Sequence, residues 1–361
     1  QNKGAESKLL ISLELKAEAL GKRFSTQSKN IRDIQMSVGT FELASALIDR
    51  MSCGYEAEGS KILLGERAHD IYEKAIHAAL DLYETTQDEQ CKEKAFAFAE
   101  KSKAGVLRQI LLEGKARQFA GIPQHFLKQE RELKDDLASL TKFLFEERQR
   151  GEQADSAQII QWQDRLFTRK REYESLIRQF EKEYSDYYNL KYRVTTASSR
   201  DIQDNILDDK TTLLEYFIGD EWIVIFTITR AGFEIISEMK NDHFQEQIDC
   251  LREGLMERDY ELYTKNAHAL YKTLIEPVKN SIAGKNLIVI PDGILGYIPF
   301  EALITDDPPQ TEEDYRQLAY LIHAYQTTYS YSSTLLMENT MKNVYQGNNS
   351  YVGFAPVVFN H

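Results

Sequence analysis

The chain has 361 residues, enough for two or three domains and a sizeable core. It is 42% hydrophobic and 28% charged, and 57 acidic against 44 basic residues give a formal net charge of -13. That balance argues against general nucleic-acid binding, because phosphate contacts need a basic field. No run is long and apolar enough to suggest a membrane span.

Up to residue 120 the texture is Ala, Leu, Glu, Lys and Arg, which predicts successive antiparallel helices. In Glu66 to Glu84, Ala68, Ile71, Tyr72, Ala75, Ala79 and Leu82 form one stripe. In Glu93 to Leu112, Ala95, Phe96, Ala99, Ser102, Val106 and Ile110 form another. Small residues alternating with aromatics suit closely packed helix pairs of the tetratricopeptide type. The second stripe follows too soon for a regular period, so the repeat is degenerate and a plain helical bundle stays open.

Residues 121–195 read as a long helical hairpin. Phe126, Leu133, Leu137, Leu140 and Leu144 form a heptad-like seam. It resumes after "RGEQADS" with Ile159, Trp162, Leu166, Tyr173, Leu176, Phe180 and Tyr187. The charged remainder is a solvated face or a docking surface for a protein partner.

From residue 196 the character changes to α/β. Ser198 or Ser199 caps a short helix carrying Ile202, Ile206 and Leu207. The run Thr211 to Met239, broken at Gly219-Asp220 and Ala231-Gly232, predicts a meander or hairpin of two or three strands. Helices are expected over His243 to Met256 and Tyr260 to Ile282. "KNLIVIPDG" then reads as a parallel strand covered on both faces. Another helix is expected at "EEDYRQLAYLIHAY". Strands are expected at "YQTTYSYSS" and "SYVGFAPVV", with the loop "KNVYQGNNS" between them. The fold class is therefore α plus α/β.

"NLIVIPDGILGYIPFEALI", "YLIHAYQTTYSYSSTLL" and "YVGFAPV", in that order, resemble the first half of a CHAT domain. The likeness extends back to about residue 90, through "AFAFAEKSKAGVLRQIL" and "DIQDNILDDKTTLLEYFIGDEWIVIFTIT". CHAT domains are caspase-like modules usually found behind tetratricopeptide repeats. The resemblance implies residues 196–361 as the N-terminal part of such a domain. It also implies a regulated cysteine endopeptidase of the caspase or separase type, acting on a polypeptide substrate. Its His-Gly and Cys would sit on neighbouring strand ends, and its repeats would sense a trigger. Some members act in bacterial defence, beside CRISPR effectors or gasdermins.

No catalytic residue is carried over by this resemblance. There is no His-Gly pair in the sequence. Cys53, Cys91 and Cys250 lie far apart, without zinc-like or C-x-x-C spacing. They read as small buried hydrophobes, and an odd count suits a reducing, cytoplasmic compartment. The chain begins at Gln1, so an exported protein stripped of its leader would look the same. His323 reads as a packed or surface histidine, and His361 follows its strand too closely to be the family's histidine. The dyad is expected beyond His361, and the chain as given is expected to be inactive.

The framework motif is Pro291, Asp292, Gly293, Pro299, Phe300 and Glu301. Asp292 is expected to bond the amides that follow it. Pro299 is placed to start a helix, with Phe300 and Leu303 in the core. Phosphate-loop, dinucleotide, nucleophile-elbow and zinc-protease motifs are all missing, and "TDDPPQTEEDY" lacks metal-loop spacing, so no cofactor or metal is expected. The rival to a peptidase is a non-enzymatic scaffold or sensor, binding protein partners through its helices and a pseudo-caspase half.

Overall fold

The computed structural model describes residues 2–54, 58–116, 122–184, 187–188, 196–308 and 314–342. Four helices come first: α1 (Asn2–Arg23), α2 (Ile31–Gly54), α3 (Glu58–Thr86) and α4 (Glu89–Ala116). Each packs on the next, as short connections between neighbours dictate. Ala68, Ile71, Tyr72, Ala75, Ala79 and Leu82 are all buried, as are Ala95, Phe96 and Ala99. The small side chains bring α3 and α4 close, and the aromatics fill the spaces between.

Helices α5 (Gln124–Gln149) and α6 (Ser156–Glu183) form the long hairpin. Its seam closes in two clusters. Leu133, Leu176, Phe180 and Tyr187 make the one nearer the base, and Leu140, Leu144 and Leu166 the one nearer the tip. Asp155 caps α6, accepting from Ala157 N at 2.9 Å and Gln158 N at 3.1 Å. Buried Glu147 accepts from Asp155 N at 2.9 Å and so ties the turn shut.

The second half is a mixed sheet beside helices. After α7 (Ser199–Asn205) come β1 (Thr211–Ile218), β2 (Trp222–Ile228) and β3 (Phe233–Met239). Then follow α8 (Phe244–Glu257), α9 (Tyr260–Leu274) and β4 (Asn286–Ile290). The described part ends with α10 (Leu321–Ala324), β5 (Gln326–Tyr329) and α11 (Ser333–Lys342). Among the described residues the sheet order is β3-β2-β1-β4-β5. The meander β1–β2–β3 is antiparallel, while β4 runs parallel to both β1 and β5.

Side chains alternate along a strand, and here both faces are covered. Leu213, Phe217, Val224, Phe226 and Ile228 pack toward α3 and α4. Leu214, Tyr216, Ile223, Ile225, Leu287 and Val289 pack toward α8 and α9. Helices from the first 116 residues thus form one layer over the sheet. Phe96 of α4 lies 5.5 Å from Phe226 and 5.7 Å from Phe233, ring to ring.

Several boundaries differ from expectation. The helix from Tyr260 stops at Leu274 and continues as a 3₁₀ segment, Glu276–Ser281. Pro277 there has no N–H to donate and clashes with the preceding turn. The helix expected across 312–325 is broken into a 3₁₀ turn, Tyr315–Gln317, and α10. Between them the chain pairs with Leu303–Thr305 instead: Thr305 N donates to Ala319 O and Leu321 N to Leu303 O, both at 2.8 Å. In "YQTTYSYSS" only Gln326–Tyr329 is strand, because Ser332 turns the chain into α11 and accepts from Leu335 N at 3.0 Å. Pro299 begins only a 3₁₀ turn, Phe300–Ala302. Residues 343–361, with the loop, the strand expected at "SYVGFAPVV" and His361, lie outside the described residues.

Candidate functional site at the C-terminal edge of the sheet

In α/β sheets, ligand-facing loops gather at the carboxyl ends of parallel strands. β1, β4 and β5 run parallel, so Ile218, Ile290 and Tyr329 reach the same edge. The framework motif is built around it. β1 extends past its last pairing with β4, Glu215 opposite Ile290, which leaves the Ile218 N–H beyond the ladder. Asp292 Oδ2 accepts from that N–H at 2.8 Å. Its side chain caps none of the amides that follow. The local turn bond expected from sequence is replaced by a clamp between two strand exits. Pro291 leads into the clamp. Gly293 follows it at φ +49°, a left-handed conformation that suits glycine.

Pro299, Phe300 and Glu301 secure the loop after β4. Phe300 is fully buried, its ring 5.4 Å from that of Tyr216 and 6.3 Å from that of Tyr329. The Tyr329 hydroxyl accepts from Phe300 N at 2.8 Å and donates to the Glu301 carboxylate. Burial, and then Glu301, push the Tyr329 hydroxyl pKa above its ordinary value, so it stays a donor. These residues hold the edge in shape.

The helices reach the same edge from the other side. His69 of α3 stacks on Phe217 with centroids 4.7 Å apart. Its Nε2 lies 2.9 Å from Ile218 O and its Nδ1 2.9 Å from Ser102 Oγ. A carbonyl only accepts, so the proton sits on Nε2, and in the neutral ring Nδ1 accepts from Ser102.

Beneath lies a polar cluster that the hydrophobic patterning does not suggest. Glu215 occupies the row Leu213, Glu215, Phe217 and is fully buried, as is Glu100 of α4. Glu100 accepts from Ser333 N at 2.8 Å, from Thr334 N at 2.7 Å and from the Thr334 hydroxyl. Glu215 Oε2 accepts from Ser333 Oγ at 2.6 Å. Lys103 Nζ lies 3.2 Å from Glu215 Oε1 and donates to Ile290 O at 3.4 Å. Burial, then the charge of Glu100, hold the Glu215 carboxyl well above the usual range, against the pull of Lys103. The one sequence signal is a glutamate inside an otherwise apolar strand, "TLLEYFI". Sealed from solvent, the cluster has no access for a substrate.

The described thiols do not meet at this edge. Cys91 is buried in α4 and Cys250 half-buried in α8. Burial pushes both thiols up, and for Cys250 so do Glu246, Glu253 and Asp249. A nucleophilic cysteine needs the opposite shift. The Cys53 side chain lies outside the described residues. His323 is exposed on α10, with its ring 5.6 Å from that of Tyr320. Among the described residues no group of three or more His, Cys, Asp or Glu is placed to hold a metal ion. No helix among them is long and apolar enough to cross a membrane.

Residues 264–354 match the family model described as the CHAT domain. The matched span takes in β4, the loop through Pro291 and Glu301, β5 and α11. The resemblance read from Asn286 to Ile304 is borne out there, and over this span the chain is similar to a CHAT domain. No curated protein matches the chain.

Proposed function

We propose that the chain is the framework half of a caspase- or separase-like cysteine endopeptidase of the CHAT type, controlled by degenerate tetratricopeptide-like helices. The division follows the change of character in the sequence: helices in 1–120, the hairpin in 121–195, and the CHAT part in 196–361. The observation that carries the reading is the CHAT match over residues whose strands end together at one braced edge. A His-Gly and a Cys on further strands would be mounted beside it, where histidine assists the thiolate and backbone amides hold the oxyanion. Protein partners would dock on the helices or the hairpin, in a reducing compartment.

A second reading is a scaffold or sensor without catalysis, and the lack of a His-Gly pair in this sequence supports it. Intact mass of the protein from its native source, set against the reading frame, separates the two. A longer chain bearing His-Gly and a downstream Cys supports the peptidase, and a chain ending near residue 361 supports the scaffold. In either case the 361-residue chain is expected to cleave no peptide. Cleavage matched by covalent labelling of Cys53, Cys91 or Cys250 with a peptide electrophile would overturn that expectation.

A further inference from the structure

We propose that Glu100 and Glu215 share one proton, and that this proton latches α11 and the exits of β1 and β4 to α4, so that the junction loosens when it leaves. The inference stands on the buried cluster and holds for a peptidase or a scaffold alike. The two carboxyl groups meet at Ser333, whose N–H donates to Glu100 and whose hydroxyl donates to Glu215, in a site closed to water. Two carboxylates cannot hydrogen bond, and an acid and a carboxylate can. Glu100 is taken up by three donors from the first turn of α11, a helix N-terminus that favours a negative charge. Glu215 Oε1 has only the Lys103 ammonium, at 3.2 Å and without a well-formed hydrogen bond, against three donors on Glu100, which makes Glu215 the place for the proton.

With the proton in place, Lys103 and one carboxylate balance. Without it, two carboxylates and one ammonium are buried together, an uncompensated charge in a low dielectric. Among the described residues, few groups face Glu215. α4 presents Glu100 and Lys103, α11 presents Ser333, and the flanking strands place Phe226 and Ile290 opposite. The cluster joins three distant parts of the chain. Glu215 and Ser333 are 118 positions apart, and Glu100 and Ser333 are 233 apart. Thr334 Oγ1 also accepts from Ala197 N at 2.9 Å, so the entry to α7 is tied in.

The direction in pH follows from the raised pKa. A carboxyl raised in the folded state contributes full stability below its unfolded value and loses it as pH rises through the folded value. The latch is therefore closed in acid and opens toward alkali. The test is hydrogen exchange at the Ser333 and Thr334 amides of the full chain, corrected for intrinsic rates, from mildly acidic to alkaline pH. The wild type should lose protection by up to about tenfold per pH unit between the ordinary carboxyl range and the raised value, and level off above it, as one proton requires. Glu215→Gln keeps the shape and a donor toward Glu100, and its protection should stay flat. An equal pH response in Glu215→Gln would assign the effect to Lys103 or elsewhere and overturn the proposal. A second measurement needs no variant to fold: the infrared carbonyl stretch of a buried carboxylic acid, present in the wild type at neutral pH. Its absence overturns the proposal as well.

Discussion

Asp292 shows how one side chain can brace an edge. Its partner, Ile218 N–H, sits past the end of the β1–β4 ladder and has the Asp292 carboxylate at 2.8 Å. Hydrogen bonds to charged groups contribute about 1.5–3 kcal/mol, and a half-exposed site lies at the low end. Asp292→Ala is expected to lower unfolding free energy by about 1–2 kcal/mol in urea titrations. Asp292→Asn retains an acceptor and should lose less than half of that. Equal losses in both variants would mean that the negative charge matters and the acceptor does not. The Pro-Asp-Gly turn was legible in sequence because turn residues act locally. The partner of Asp292 was not, since Ile218 lies 74 positions away and only the parallel pairing of β1 with β4 brings it near. Glu100 and Glu215 are illegible for the same reason. Glu215 interrupts an apolar strand, while Glu100 opens the polar run Glu100 to Lys103, and nothing local says that the two meet.

Among the elements, the hairpin follows its sequence pattern most completely. Its heptad-like spacing puts every expected seam residue into one of two clusters. Periodicity suffices there because the hairpin packs on itself, and its clusters share no residue with those of the sheet. The segment 312–325 fails for the complementary reason: its helical pattern yields to backbone pairing with Leu303–Thr305, a tertiary effect that no window of sequence contains. Self-containment of the hairpin carries a prediction. The ring of Phe126 at its start lies 5.6 Å from that of Tyr184 at its end, so the two ends are adjacent. Replacing residues 124–183 with a short Gly/Ser linker should leave the rest folded, with Trp222 fluorescence and its unfolding midpoint unchanged. Loss of the Trp222 transition would show that the hairpin supports the sheet.

The whole molecule behaves differently, because the helices α3 and α4 and the sheet share one core. Ile71, Tyr72, Ala95 and Phe96 belong to the same buried cluster as Phe217, Val224, Phe226 and Ile228. Polar contacts cross the same boundary, with Lys92 Nζ donating to Phe233 O at 3.0 Å and Ser199 N to Glu93 at 3.2 Å. A shared core of this kind makes the two parts unfold as one cooperative unit. Phe96 is the sharpest probe, since it is fully buried and touches the sheet through two rings. Truncating such a phenylalanine costs about 3–5 kcal/mol, through lost burial and the cavity left behind. The protein has two tryptophans, and excising the hairpin removes Trp162 and leaves Trp222, beside His77 of α3, as the sole reporter of the junction. In that background Phe96→Ala should shift the Trp222 fluorescence midpoint and the helical circular dichroism midpoint of α1–α4 by the same amount, measured with the hairpin excised. If only the helical signal moves, the array and the sheet are separate folding units. A trigger sensed by the helices would then need some route to the strand edge other than their common core.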